Sequence, residues 1–244
     1  MEEKTMELKK ESVKLTAEIQ KHKFYTELAY LFGIIGIALG TALLALAEFG
    51  VALPVVSAHV IHHLLHHYEW VTLGMVEIAC QAVLFVVLAI ICREVKKAFL
   101  LSMVSGVIYS AFLDLFLIVL GLLPQTLAVR IAFFVVGFFI FALGEILLHY
   151  TYVQSEFYEF FCHELSHRFK WNFYKVKLTF EITLCLIGVV LSFAFNGIGE
   201  VHGLGIGTLI CALLIIKTSN LFGKLLNKHY VFCDKFNKRK FFQE

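Results

Sequence analysis

The chain has 244 residues, 59% of them apolar and 16% charged, with a formal net charge of +2 and a mean hydropathy of +0.81. Ordinary soluble domains carry about a quarter charged residues, so this composition excludes one. Apolar runs of 18 or more residues recur, long enough to cross about 30 Å of hydrocarbon, and the chain reads as a polytopic helical membrane protein.

Residues 1–23 hold six Lys and five Glu and no apolar stretch, which reads as a charged, solvated tail rather than a signal peptide. Six spans follow, at about 25–50, 71–92, 98–121, 127–152, 177–195 and 205–226, with edges good to about 2–4 residues. The prolines, Pro54 and Pro124, fall outside the span interiors, where helix breakers belong. Connections are short, and residues 227–244 form a basic tail.

Two stretches outside the spans remain, 52–69 and 153–171. On a helical wheel Val56, Val60, Ile61, Leu64, Leu65 and Tyr68 oppose His59, His62, His63, His66 and His67. Phe157, Phe160, Phe161, Leu165 and Phe169 likewise oppose Glu159, His163, Ser166, His167 and Lys170. Each reads as an amphipathic helix.

Lys and Arg alternate between rich and poor connections. The N-terminal tail has six; three follow at Arg93, Lys96 and Lys97, four at Arg168, Lys170, Lys175 and Lys177, and seven from Lys217 onward. The intervening connections hold only Arg130. By the positive-inside rule both termini face the cytoplasm. The basic residues are thereby accounted for, and no nucleic-acid partner is implied.

A shift of 104 residues aligns 31–90 with 135–194 without a gap and gives eleven identities in sixty pairs, against roughly five expected from so biased a composition. His59 falls on His163, His63 on His167 and Glu77 on Glu181. The expected fold is therefore all-α and membrane-embedded: six transmembrane helices as two inverted three-helix repeats, 24–123 and 124–226. Each repeat has a short amphipathic or re-entrant helix after its first span. Inverted repeats are typical of secondary transporters, with the pathway at the repeat interface.

GIALGTALL in the first span, YSAFLDLF in the third, FYEFFCHELSHRFKWNFYKVK before the fifth and GLGIGTLICALL at the sixth resemble the YczE/YyaS/YitT family of bacterial integral membrane proteins. The resemblance covers about 24–226 and is strongest at the LDLF run around Asp114 and the turn through Gly203, Gly205 and Gly207. It implies a multi-pass permease of the bacterial cytoplasmic membrane, with a weak association with vitamin B6 metabolism.

Ionisable groups inside spans are costly and are by default site candidates. Glu77 and Glu181, at matching depths from opposite surfaces, are the leading pair, with His63 and His167 beside them. Asp114 and Lys217 occupy corresponding parts of the repeat and would suit a mutual ion pair, while Glu145 and His149 are one helical turn apart. His59, His63 and His66 share a helix face at a spacing that binds Zn²⁺ or Cu²⁺, or simply form a wet face. The glycine turn and Gly36-x-x-x-Gly40 read as close-packing surfaces. The six cysteines are scattered singly, as buried packing residues.

No P-loop, dinucleotide fingerprint or nucleophile elbow occurs, so neither catalysis nor a cofactor is expected. The expected function is transport of a small polar or charged solute by alternating access. The alternatives are a substrate-binding subunit of an energy-coupled vitamin transporter, and a metal-binding or regulatory membrane protein. A homodimer or partner subunits would fit either.

Overall fold

The computed structural model describes residues 22–65, 67–68, 70–196 and 204–236. The charged stretch 1–21, His66, Glu200 and the last eight residues lie outside that set.

Six helices are long and apolar enough to cross a membrane, and by length and composition they mark a multi-pass integral membrane protein. They are α1 (Thr26–Ala47), α3 (Leu73–Cys92), α4 (Lys97–Gly121), α5 (Leu127–His149), α7 (Phe173–Asn196) and α8 (Ile206–His229). Two short helices, α2 (Val56–Leu64) and α6 (Phe157–Phe169), follow the first and fourth of these. A single 3₁₀ turn, Leu53–Val55, leads into α2 and carries Pro54 in its first turn, where the missing N–H costs nothing.

The spans fall within a few residues of their expected places, except that α7 starts at Phe173 rather than near 177. Asn172 accepts a hydrogen bond from the Lys175 N–H at 3.3 Å, starting the helix a turn early and drawing Lys177 inside it. Thr72 and Thr126 cap α3 and α5 in the same manner.

The central crossing is α1 against α5. Gly36 faces Gly144, and Gly40 faces the backbone of Phe141. A Cβ on Gly144 would stand 2.6 Å from the Ile37 nitrogen and 2.9 Å from the Gly33 carbonyl oxygen, so the two backbones touch where a side chain cannot fit. Around this pair, α4 packs on α1 and α8 packs on α5. Helix α2 lies against α7 and α3, and α6 lies against α3, α7 and α4. Helices α3 and α4 pack together; α7 and α8 make no comparable contact.

Neither short helix lies along the surface as a purely amphipathic one would. Val56, Ser57, Ala58 and Val60 are all buried, with Val56 and Ser57 against Gly188 in the body of α7. Phe157, Phe160 and Phe161 are buried against Phe99 and Leu88. The histidine side of α2 is half-buried at His59, His62 and His63, while His163 and His167 on α6 are exposed as expected.

The ends of the described chain pair with each other instead of trailing into solvent. β1 (His22–Tyr25) and β2 (Tyr230–Cys233) form a parallel pair. Beside it the Glu27 carboxylate accepts the N–H groups of Lys235 and Phe236 at 3.1 and 2.9 Å and the Tyr152 hydroxyl at 2.8 Å. At the opposite end Arg130 pairs with Glu48 at 2.8 Å and donates to the Ala47 carbonyl at 3.0 Å.

The glycine crossing gives a direct test. Gly144→Val should destabilise the protein by about 1–3 kcal/mol, the usual cost of overpacking, seen as a lower unfolding temperature in detergent. Gly121→Val, at a glycine with open space around it, should change it little.

Candidate functional site

Two connected cavities lie on the side of the bundle that carries the chain termini. The outer is a vestibule of about 610 Å³ lined by α5, α7 and α8 residues, among them His149, Tyr150, Tyr174, Asn220 and Asn227. It fills the gap between α7 and α8. The inner is a small cavity of about 40 Å³, walled by Ile37, Leu53, Pro54, Phe141 and Ile215. Glu145, Glu159, Lys177 and Ile216 border both, so these four form the throat between them.

The throat is an ion pair. The Lys177 ammonium donates to one oxygen of Glu145, and the Ser219 hydroxyl donates to the other at 2.7 Å. Glu181, one turn along α7 from Lys177, stands 4.0 Å from the same ammonium. Lys177, Glu145 and Glu181 side chains are each no more than 14% exposed. A buried pair of this kind contributes little net stability, yet removing one partner strands the other charge.

The start of α6 supplies the rest. Glu156, Tyr158 and Glu159 all line the inner cavity. Glu156 Oε2 is sealed from solvent and has no hydrogen-bond partner. Burial, reinforced by the neighbouring Glu159 charge, raises its carboxyl to about 8, so it is largely neutral near pH 7. Tyr158 donates its hydroxyl to Glu77 Oε2 at 2.8 Å.

The expected site residues are thus only partly brought together. Glu181 and Glu145 line the inner cavity. Glu77 does not stand at an opening: it is fully buried in α3 behind Tyr158, because the start of α6 packs over it. Asp114 is engaged elsewhere. It accepts the Thr72 hydroxyl at 2.7 Å and the Gly74 N–H at 2.8 Å, tying α4 to the first turn of α3, while Lys217 is exposed on α8. No Asp114–Lys217 pair forms.

Of the described histidines only His149 borders a cavity; those of α2 and α6 line neither. His167 is exposed on α6, and His63 lies in the last turn of α2, at the far end of that helix from the cavity. Burial lowers the pKa of His62. Among the described residues no three His, Cys, Asp or Glu side chains converge on a point, so His59 and His63 have no metal-binding geometry there.

Sequence reasoning missed Lys177, Glu156, Glu159 and Tyr158 as site residues. Lys177 carried a signal, its i, i+4 spacing to Glu181 on one helix face. Counting it as a loop cation concealed that signal.

A family model described as "Family of unknown function (DUF6198)" matches residues 24–224. The chain belongs to that family. The match covers the first five spans, the sixth as far as Lys224, and both cavities' lining residues up to Lys224. No curated protein and no solved structure matches the chain.

Lys177→Met should cost about 3–5 kcal/mol, because Glu145 and Glu181 are left facing each other without a cation. The double variant Glu145→Gln/Lys177→Met should recover most of that loss in unfolding measurements. Additive losses in the double variant would show that the pair does not act as a unit.

Proposed function

We propose that this member of the DUF6198 family is a transporter for a small polar or charged solute, built from two inverted three-helix repeats. In this reading the arrangement described is the state open toward the chain termini. The supporting observation is an asymmetry between the halves. Under the repeat α1, α2, α3 and α4 correspond to α5, α6, α7 and α8. The contact of α1 with α4 then mirrors that of α5 with α8, and α2 on α7 mirrors α6 on α3. The contact of α3 with α4 has no such counterpart between α7 and α8, where the vestibule opens instead.

Two halves of similar sequence held in two different conformations are what alternating access requires. Exchanging the two conformations closes the α7–α8 gap and opens one between α3 and α4, on the opposite side. Asp114 acts as the closing latch on that side, bridging α4 to Thr72 and Gly74. Val176 and Leu178 stand at the positions matching Thr72 and Gly74, so the α7–α8 side has no equivalent latch and its opening is cheap.

The starts of α2 and α6 meet the inner cavity from the two halves, through Leu53 and Pro54 and through Glu156 and Tyr158. This favours re-entrant short helices over interfacial ones. In this reading the protein sits in the cell membrane with the termini, and hence the vestibule, facing the cytoplasm, which the distribution of Lys and Arg supports. Kinship with the YczE/YyaS/YitT proteins belongs to the same reading, as does the absence of an enzymatic role.

The latch provides the test. In sealed right-side-out vesicles, Asp114→Ala should expose Cys80 of α3 to a membrane-impermeant maleimide several-fold more than in the wild type, as measured on the Cys80 peptide by mass spectrometry. Unchanged labelling in a variant that still unfolds at the wild-type temperature would count against a gate between α3 and α4.

A further inference from the structure

We propose that the inner cavity binds a small primary ammonium ion, held by Glu156 and Glu145 with Lys177 as its built-in competitor. This deepens, and rests on, the transport reading above by naming the class of solute.

Charge is the first reason. Four carboxyl groups, of Glu145, Glu156, Glu159 and Glu181, line the cavity, and Lys177 is the one cationic side chain among its lining residues. The cavity is short of positive charge and of N–H donors. The second reason is Glu156, a residue that lines the cavity and whose buried Oε2 has no hydrogen-bond partner. An acceptor left unsatisfied in a closed site is a costly feature, and a cation with N–H donors removes the cost. The N-terminus of α6 would by itself favour an anion, but the position there is taken by an acidic side chain of this chain, Glu156, immediately before that helix.

The occupant's chemistry is displayed by the protein itself. Glu145 takes an ammonium, that of Lys177, on one oxygen and the Ser219 hydroxyl on the other. A free ammonium arriving from the vestibule meets this pair first, because Glu145 and Lys177 border both cavities. Exchange of one ammonium for the other at Glu145 needs no new kind of contact. Size sets the limit: a water needs about 10–15 Å³ by the same measure, so about 40 Å³ admits roughly two or three heavy atoms. The apolar walls of Ile37, Pro54 and Phe141 suit the alkyl part.

Binding is coupled to a proton. Around Glu156 stand Tyr158 and Glu159 of α6, Glu145 of α5, and Lys177 and Glu181 of α7. Glu77 of α3 is reached through Tyr158. Since Glu156 is largely neutral near pH 7, an ammonium that binds its carboxylate releases a proton to solvent. Affinity therefore rises as pH rises toward and past 8 and falls as the solution is acidified.

The probe is methylammonium chloride, with the full chain purified in detergent and sodium chloride holding ionic strength constant. The wild type should show a saturable rise in unfolding temperature. Its midpoint concentration should be roughly tenfold or more lower at pH 9 than at pH 6. Mixing in weak buffer with an indicator dye should show proton release. Glu156→Gln should weaken binding several-fold and abolish the pH dependence and proton release. Glu48→Gln, at the far end beside Arg130, should behave as the wild type.

The proposal is overturned if the wild type shows no saturable response, if sodium chloride or sodium acetate acts equally, or if Glu156→Gln binds unchanged. Should Glu156→Gln fail to fold, proton release by the wild type decides, and its absence overturns the proposal. Radiolabelled methylammonium uptake into proteoliposomes, measured over protein-free liposomes, separates the two levels. Binding without uptake keeps the ammonium site and removes transport. Uptake of another solute, with no methylammonium binding, removes the ammonium site and keeps transport.

Discussion

Backbone that leaves the helical state in a buried region must find its hydrogen-bond partners within the protein, and two stretches of this chain do so. Between α1 and α2 the Phe49 carbonyl accepts the Gly207 N–H at 2.8 Å. Gly50 adopts φ +123°, a conformation open to glycine and strained for other residues, while packed against Thr208. Between α5 and α6 the hydroxyls of Ser102 and Ser105 donate to the carbonyls of Ser155 and Gln154, both at 2.7 Å. The Phe157 N–H turns to Gln81. Each break is thus repaired by the other half's helices, α8 for the first, α3 and α4 for the second. The positions of both short helices depend on that exchange, and so does the cavity they wall.

Because the second break ends at Glu156, its carboxylate is carried into the interior together with Tyr158 and Glu159. A surplus of acid there is tolerable on two conditions: that some carboxyls stay protonated, and that a cation is nearby. Both hold, through the raised Glu156 carboxyl and through Lys177.

The coarse architecture was legible from residue order because it depends on quantities summed over many residues. Hydrophobic length located the six long helices, and Gly36-x-x-x-Gly40 announced a close-packing face on α1, though not its partner. Individual charges were less legible. Glu145 and Glu181 reach the inner cavity, but Glu77, the internal echo of Glu181, is covered by Tyr158. Sequence repetition cannot report such covering, since it follows from side chains contributed by the other half. The histidines of α2 attracted notice by their number alone, and His59, His62 and His63 line neither cavity.

By itself, the order of residues determined that this chain is a bundle of long apolar helices interrupted by two short ones, because burial of apolar surface and helix periodicity are local and additive. It also determined that carboxylates would be carried into the interior. Only the tertiary structure decided which of them share a space. The early start of α7 drew Lys177 inward to Glu145, and the packing of α6 beneath α3 and α4 brought Glu156 to the same cavity. Asp114 was diverted to the capped end of α3. Pairing between distant charges depends on ångström distances set by helix crossings, and those are properties of the packed fold.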